Sequence, residues 1–370
     1  MLNKALQSIA RAPRAIVKIN NEVMAGWSDI SLENNIFYEA DTFSLSFALS
    51  ALPLNRRQDW WAAQDVLAVE IFIGFPKDPS NYDAAELKSF IYGNVDDLKF
   101  NPIKQAIEIS GRDLTARLID NKSTEKWQNL SASAIAKQIA IKAGLTPVVT
   151  ETTTKAGIYY DIDHVNMKAE HSQWDLLAWL AQQENFNLYV TGKELHFEPK
   201  QTISADNTYL LDWQSPKDNG FNAFDGTDIN FSRALTIAKG VNVTVYSYNK
   251  KTKKRHVASY PLKNAKGVKV GGSVEGVENH NFSYPDLTPE KCLQYAQSMY
   301  KEITAHELKM QAELVGDNIL TTLNVIAITG TNSNFDQNYY PTSITRALSL
   351  DGYKMHVSAK NVSFTNEIKL

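Results

Sequence analysis

The sequence predicts a β-rich α+β protein in which two similar antiparallel β-barrel domains flank a small α/β module. Three observations support this fold class: long segments in which apolar and polar residues alternate, helical spacing mainly in the middle of the chain, and a hairpin pattern that occurs twice. The chain has 370 residues, 43% of them hydrophobic and 21% charged, which is enough for two or three domains with cores of their own.

The first β region extends from about residue 15 to residue 112. In TFSLSFALS (42–50) apolar residues alternate with small residues, and AIEISG (106–111) repeats the alternation, as expected for half-buried antiparallel strands. Asn101 and Pro102 separate two such strands and predict a hairpin turn.

The middle of the chain has helical spacing. Ser131 is the predicted N-cap of a short helix, which ends at Gly144. Ser172 and Asp175 form a capping box at the start of a second helix. The segment FNLYVTGKELHFEP (186–199) that follows is typical of a β-hairpin turning at residues 191–193.

Alternation returns in the second β region. It is present in GVNVTVYSY (240–248) and in AHELKMQAEL (305–314). One helix is predicted between them, over residues 288–303, because Thr288 is a suitable N-cap and Pro289 suits the first helical position.

Two segments share a hairpin pattern. YGNVDDLKFNPIKQAIEISGRD (92–113) and YYPTSITRALSLDGYKMHVSAKN (339–361) each run from an aromatic residue through an alternating strand, over a turn, into a second alternating strand. We interpret them as one hairpin used twice within a duplicated barrel.

These patterns divide the chain into five predicted parts: an N-terminal arm (1–13), a first β-barrel domain (14–115), the α/β module (116–200), a connecting segment (201–229) and a second β-barrel domain (230–370) that contains the helix at 288–303.

The N-terminal arm has two interpretations. Leu2, Leu6 and Ile9 have helical spacing, which fits a short amphipathic helix docking on a neighbouring subunit, and a frayed terminus fits equally well. The arm lacks the continuous apolar block of a signal peptide, and we expect no membrane helix, since no apolar stretch approaches the roughly 20 residues required.

Composition limits the classes of partner and chemistry. The single cysteine, Cys292, excludes an internal disulfide framework. The net charge of -3 gives no overall basic field for nucleic acid or anionic membranes, so partners are recognised by shape and local chemistry.

Catalytic patterns are incomplete in this sequence. GGSVE (271–275) has Glu275 where a nucleophile elbow has its second glycine, and HELKM (306–310) has Met310 where a zinc-protease helix has its second histidine. Asp96 and Asp97 are adjacent on a strand and should point to opposite faces, which makes them a poor acid/base pair.

Cofactor and metal motifs are also missing. There is no phosphate-binding glycine loop, and the densest set of possible metal ligands, DIDH (161–164) with Glu170 and His171, is better explained as solvated loop residues. Cys292 lies at an apolar helical position, which favours a core residue over a nucleophile. We therefore predict no catalytic, cofactor-binding or metal-binding residues.

Three other features have open interpretations. The basic run NKKTKKR (249–255) is either a solvated hairpin tip or a contact with an acidic partner surface or passing DNA. Trp60 and Trp61 place one ring in the core and one at an interface, or both in the core. Arg112 and Asp113, after an alternating strand and a glycine, are a catalytic pair or a strand-end turn.

Four phrases of the sequence resemble the baseplate hub proteins of contractile phage tails. The order of the predicted domains, a barrel, the α/β module and a second barrel, resembles that family as well. The likeness is closest to the hub of Mu-like phages and more distant to T4-type hubs, late-control-D proteins and the N-terminal part of VgrG spikes. The phrases are AGWSDISLENNIFYEADTFSLSF (25–47), SGRDLTARLIDN (110–121), SQWDLLAWLAQQENFNLYVTGKELHFEP (172–199) and FDQNYYPTSITRALSLDGYKMHVSAKN (335–361).

The resemblance implies a structural protein. Hubs of this family are homotrimers in which two barrels per chain form a pseudo-sixfold ring, joining the hexameric tail tube to the trimeric central spike. Expected partners are a second and third copy, the tail tube protein, the spike, and also tape-measure and baseplate wedge proteins, with DNA only in transit. The expected location is the virion tail baseplate, after synthesis in the host cytoplasm.

The resemblance also bears on single residues and on domain content. It makes Arg112 and Asp113 a strand-end and turn pair, with Asp113 capping a short turn. We expect the spike to be a separate protein, because the sequence has no extra segment for a needle or a lysozyme domain.

Other functions remain open. The same sequence suits the hub of a tailocin or a related injection device. Two alternatives belong to other functional classes. One is a cell-wall hydrolase of the tail tip. The other is a glycan-binding β protein, because the chain has 7 Trp and 16 Tyr residues.

Overall fold

A computed structural model describes most of the chain. The described residues are 2–3, 12–36, 39–123, 127, 130–153, 171–200, 203–214, 224, 226–234, 240–249, 253–261, 278–285, 287–304 and 308–361. Predictions on the arm residues 4–11, DIDH, Glu170, GGSVE and His306 lie outside these ranges.

The described strands are β1 (Arg14–Ile19), β2 (Glu22–Val23), β3 (Trp27–Asn35), β4 (Thr42–Ala48), β5 (Ala68–Gly74), β6 (Lys88–Asn101), β7 (Ala106–Asp113), β8 (Lys122–Ser123), β9 (Thr146–Val149), β10 (His171–Ser172), β11 (Phe186–Thr191), β12 (Glu194–Pro199), β13 (Thr208–Asp212), β14 (Gly226–Arg233), β15 (Val241–Asn249), β16 (Lys254–Tyr260), β17 (Glu278–Pro285), β18 (Leu308–Val315), β19 (Val325–Thr329), β20 (Asn338–Ser349) and β21 (Gly352–Lys360). The described α-helices are α1 (Gln58–Ala62), α2 (Thr115–Asp120), α3 (Ala132–Lys142), α4 (Gln173–Glu184) and α5 (Pro289–Thr304).

The chain folds into two compact units that do not follow one another along the sequence. The first unit contains 1–209 together with 313–324 and 342–357, and the second contains the remaining residues. The five parts predicted from the sequence remain a prediction. The structure adds that two C-terminal segments belong to the same unit as the N-terminal region.

The first unit is built on a curled antiparallel sheet. Its strands follow the order β21-β20-β3-β4-β7-β6-β5-β1-β2. The sheet curls enough to bring distant strands together: the rings of Tyr353 on β21 and Phe75 after β5 have centroids 6.0 Å apart. Asn318 Nδ2 donates a hydrogen bond of 2.7 Å to the Ile73 carbonyl. The structure therefore confirms the β-rich fold class with a barrel-like sheet.

Both predicted hairpins are present in this sheet. β6 and β7 pair around a turn in which Asn101 Oδ1 accepts hydrogen bonds from the backbone of Ile103 and Lys104. β20 and β21 form the other hairpin. The two hairpins flank the central β3–β4 pair, since β7 pairs with β4 while residues 343–348 of β20 pair with β3. Both ends of the chain thus contribute to one sheet.

Alternation along the strands produces the core of this sheet. The side chains that point inward are fully buried, among them Val17, Ile30, Leu32, Phe43, Leu45, Phe47, Ile71, Ile107 and Ile109. Trp61 joins them, with its ring centroid 5.2 Å from that of Phe47, whereas Trp60 is half-buried and packs edge-on against Trp61. Trp61 is confirmed as a core residue, and an interface role for Trp60 stays a prediction.

The α/β module has its own hydrophobic core within the first unit. α3 and α4 pack against the sheet β11-β12-β9, and their buried side chains form one cluster. The predicted caps are confirmed: Ser131 Oγ accepts from Ala134 N at 3.3 Å, and Ser172 and Asp175 make the reciprocal bonds of a capping box. The hairpin turn at 191–193 is confirmed by the pairing of β11 with β12.

The second unit contains a helix on a small sheet. β15 pairs with β16 in the antiparallel and with β17 in the parallel direction, and α5 packs on this sheet through a cluster that includes Cys292 and Ala296. Thr288 Oγ1 accepts a hydrogen bond from Lys291 N at 3.3 Å, as expected for the predicted N-cap. β15 ends at Asn249 and β16 begins at Lys254, and these two residues pair, whereas residues 250–252 of the basic run lie outside the described ranges.

A buried arginine joins distant segments within the first unit. Arg346 of β20 is 1% exposed. Its Nη1 donates to Asn34 Oδ1 at 2.8 Å, its Nε to the Asp317 carbonyl at 3.3 Å, and its Nη2 to the Leu320 carbonyl. The guanidinium also lies 4.6 Å from the ring centroid of Phe90. Arg346 thus links β3, β6 and the loop after β18.

The loop that Arg346 binds is organised by Asp317. Its Oδ1 accepts hydrogen bonds from the backbone of Ile319 and Leu320, and its Oδ2 accepts from the Tyr209 hydroxyl at 2.5 Å. The Tyr353 hydroxyl donates to the Asp317 carbonyl at 3.2 Å. These bonds satisfy polar groups that burial would otherwise make costly.

We expect Arg346→Met to destabilise the protein by about 3 kcal/mol or more. Methionine fills similar space but leaves the Leu320 and Asp317 carbonyls and the Asn34 amide oxygen without their donors. Urea unfolding followed by circular dichroism measures the change. The matched control is Arg117→Met at an exposed position of α2, for which we expect a change within about 0.5 kcal/mol. Equal losses in the two variants would contradict a joining role for Arg346.

Candidate functional site at the junction of Arg112 and Asp113

Arg112 and Asp113 lie where the chain leaves the curled sheet for the α/β module. They end β7, and α2 begins two residues after Asp113. Leu114 and Leu118, next to and within α2, belong to the core of the module rather than to the core of the sheet. The pair therefore connects two cores of the first unit.

Arg112 bridges two carboxylates on the outer side of the junction. Its Nε and Nη2 donate to Asp96 at 2.7 and 3.1 Å, and its Nη1 and Nη2 donate to Asp120 at 3.1 and 2.9 Å. Asp96 occupies an irregularity in the pairing of β6 with β7, and Asp120 ends α2. Hydrogen bonds from Arg112 to Asp96 and then to Asp120 raise the pKa of Arg112 above its ordinary value. Arg112 therefore fixes the end of α2 against β6.

Asp113 holds the start of α2 from the inner side. Its carboxylate accepts hydrogen bonds from Thr115 N at 3.1 Å and Thr115 Oγ1 at 2.9 Å. Its backbone N–H donates to the Asp41 carbonyl at 2.9 Å. The predicted turn-capping role of Asp113 is confirmed, and α2 is held at both ends by the last two residues of β7.

The inner side contains a second carboxylate that the sequence analysis missed. Asp41 accepts hydrogen bonds from Asn34 Nδ2 at 2.6 Å and Asn35 N at 2.8 Å. Burial raises the pKa of Asp41 to about 6. Burial, and then the charge of Asp41, raise the pKa of Asp113 well above its ordinary value.

A shallow polar groove of about 410 Å³ lies on the outer face of the sheet beside Arg112. Small hydroxyl residues dominate its lining, which consists of Ser31, Glu33, Thr42, Phe43, Ser44, Asp96, Ser110, Gly111, Arg112 and Thr345. Asp96 is bound to Arg112, and Asp97 is bound instead to Lys99 at 3.3 Å. Of the two adjacent aspartates, only Asp96 lines the groove.

Two other sequence predictions concern Cys292 and possible metal ligands. Cys292 is fully buried in the second unit, and burial raises the pKa of its thiol, which disfavours the nucleophilic thiolate. In the described part of the chain, no three His, Cys, Asp or Glu side chains come together as metal ligands. Within the same ranges, no helix is long and apolar enough to cross a membrane.

Several solved structures with the same fold are tail proteins. A tail protein from Neisseria meningitidis MC58 aligns with a TM-score of 0.68 and 12% identity, covering 94% of this chain and 96% of that chain. The prophage MuSo2 43 kDa tail protein from Shewanella oneidensis aligns with a TM-score of 0.63 and 14% identity over the same shares. The prophage tail protein gp18 from Listeria monocytogenes aligns with a TM-score of 0.54 and 9% identity, covering 94% and 95%.

These structures define the fold class of the chain. It has the fold of prophage tail proteins along nearly its whole length, which confirms at the level of the fold the resemblance that the sequence motifs indicated. No protein-family model and no curated protein match the sequence.

We expect the bridge between Arg112 and Asp120 to stabilise the junction modestly. Both side chains are partly exposed, so a double-mutant cycle with Arg112→Gln and Asp120→Asn should give a coupling energy of about 0.5–1 kcal/mol. The same cycle with the exposed pair Lys99 and Asp97 is the control, because its single 3.3 Å contact should couple more weakly. Zero coupling between Arg112 and Asp120 would contradict the bridging role.

Proposed function

We propose that this protein is the structural baseplate hub of a contractile phage tail. It acts as a homotrimer that forms a pseudo-sixfold ring and joins the hexameric tail tube to the trimeric central spike. The observation that supports this most is the shared fold with prophage tail proteins over nearly the complete length of both chains. Structures of a Francisella PdpA–VgrG complex also share the fold, with a TM-score of 0.53.

The repeated hairpin supports a symmetry-adapting role. A trimer can match a sixfold partner only if each chain presents two similar surfaces. β6–β7 and β20–β21 are two such hairpins, placed on either side of the central β3–β4 pair. Each copy therefore offers two related strand pairs from one sheet.

The junction supports a scaffold without catalysis. Arg112 and Asp113 are engaged in holding α2 to the sheet, so the polar residues that most resemble a catalytic pair have structural partners. A tailocin hub would use the same architecture. The proposed location is the virion tail baseplate, with the tube and spike proteins as principal partners.

We expect light scattering on the purified protein to give about 125 kDa, three times the 41.5 kDa mass of the chain. If the isolated chain is monomeric, addition of the cognate spike protein should produce a complex with three copies of each. A monomer that stays at one chain mass at high concentration, with and without the spike, would contradict the proposal.

We also expect the purified protein to leave peptidoglycan intact. Arg112 and Asp113, the pair that most resembles a catalytic one, are engaged in holding α2, so we expect no acid/base catalysis from them. Dye release from labelled cell walls, with lysozyme as the positive control, measures this. Release that is lost in a variant of the groove carboxylates, such as Glu33→Gln, would replace the scaffold with a tail-tip hydrolase.

A further inference from the structure

The tips of the two repeated hairpins each carry an exposed aliphatic side chain. Ile103, between β6 and β7, is 94% exposed, and Leu350, between β20 and β21, is 100% exposed. In the part of the chain that the structure describes, these are the two most exposed large apolar side chains. Turns favour glycine, proline, asparagine, aspartate and serine, so neither turn needs an aliphatic residue for its own geometry. Single exposed aliphatic residues are common, but their occurrence at both equivalent turns points to a shared role.

Both tips leave the curled sheet at the same edge. The pairing registers place five residues in one row across it: Leu348 of β20, Ile30 of β3, Leu45 of β4, Ile109 of β7 and Leu98 of β6. From this row β6 and β20 run in the same direction toward their turns, because four successive antiparallel pairings separate them. Ile103 lies five residues after Leu98, and Leu350 lies two residues after Leu348. The β6–β7 tip therefore extends about three residues, roughly 10 Å, farther beyond the shared edge.

The two hairpins are related by a shift along the sheet and not by a twofold axis. Along the strand order, β21 precedes β20 and β7 precedes β6, so the second strand comes before the first in each hairpin. A twofold axis between the hairpins would reverse this order in one of them. Equivalent strands are four positions apart, which is about 19 Å at the usual spacing of strands. A shift of this kind around a curved sheet is what rotation about a common axis produces.

In a ring of three chains, this arrangement presents six similar tips. This step rests on the proposed function, which supplies the ring. A trimeric spike meets each chain once and needs only one site per chain, whereas a hexameric tube requires two equivalent sites per chain. The paired tips therefore suit the sixfold partner better than the threefold one.

The two tips share apolar character but not charge. Lys104 follows Ile103, and Asp351 follows Leu350, so the charge beside the aliphatic residue has opposite sign at the two tips. Six identical subunits of a partner can recognise only what both tips have in common. The common feature is a branched aliphatic side chain, and a small apolar pocket binds such a side chain by removing its surface from water.

We propose that Ile103 and Leu350 are the paired contact points of the hub for the tail tube. Each side chain inserts into an equivalent apolar pocket on one of two neighbouring subunits of the hexameric tube ring, so that three chains fill all six pockets. Burial of each side chain stabilises its own contact, and six contacts on one rigid ring act together through multivalency.

The test measures binding of the purified hub to tubes assembled from the cognate tail tube protein, by pelleting of the tubes. Light scattering on the same samples measures the mass of the hub, with the cognate spike protein added if the isolated chain is monomeric. We expect Ile103→Ser and Leu350→Ser each to weaken tube binding by a similar factor of about ten or more, and the double variant to weaken it further. Both side chains are exposed, so the fold, the trimer and the spike complex should be unchanged.

The matched control is Ile141→Ser on α3, an aliphatic residue of the α/β module that is 65% exposed. It should bind tubes within about twofold of the wild-type protein. Lys104→Ala and Asp351→Ala remove the charges that the tips do not share, and each should change tube binding by less than about threefold.

The possible results separate the tips from the hub function itself. Tube binding at wild-type strength by the double variant, with the trimer intact, would overturn the proposal and leave the hub function standing. Dependence on only one of the two tips would also overturn it, because the contact would then be threefold. Loss of the trimer or of spike binding in the double variant would overturn it in favour of those interfaces. A wild-type trimer that does not bind tubes would contradict the joining function.

Discussion

The first unit depends on one buried guanidinium. Arg346 is removed from water and is bound mainly by neutral oxygen atoms, which come from β3 and from the loop after β18. A charge in this environment is tolerated only while its hydrogen bonds are complete. The C-terminal segments of the unit must therefore be in place before the curled sheet reaches its final form, although Arg346 and Asn34 are 312 residues apart in the chain.

At the junction, Arg112 and Asp113 both position α2 through side-chain hydrogen bonds. On the outer side, solvent weakens the ion pairs of Arg112, so they position α2 more than they stabilise it. On the inner side, the Asp113 carboxylate accepts hydrogen bonds from the backbone and hydroxyl of Thr115, at the start of the same helix. Two adjacent residues thus hold one helix, Arg112 at its end and Asp113 at its start.

Local features of this fold could be predicted from sequence because they depend on neighbouring residues. Ser131, Ser172 and Thr288 begin helices since each supplies an oxygen to the free N–H groups of the first turn. Alternation predicted the strands and both hairpins. The pairing of β20 with β3 could not be predicted, because strand pairing over such a distance depends on tertiary packing. Arg346 could have been recognised from the sequence, because it occupies an inward-facing position of an alternating strand, between the apolar residues Ile344 and Leu348. No comparable sequence signal marks Asp41, because its contact with Asp113 depends on the pairing of strands distant in sequence.

The tail protein from Neisseria meningitidis shares the fold of this chain at 12% identity, so the same arrangement of strands forms from largely different side chains. The proposed ring requires matching surfaces on each copy, which an arrangement of strands can provide. The most direct test is electron microscopy of the purified assembly viewed along its axis. We predict a closed ring of three chains that shows six similar densities. Particles that stay monomeric with and without the cognate spike protein, or a ring with any symmetry other than threefold, would contradict the account.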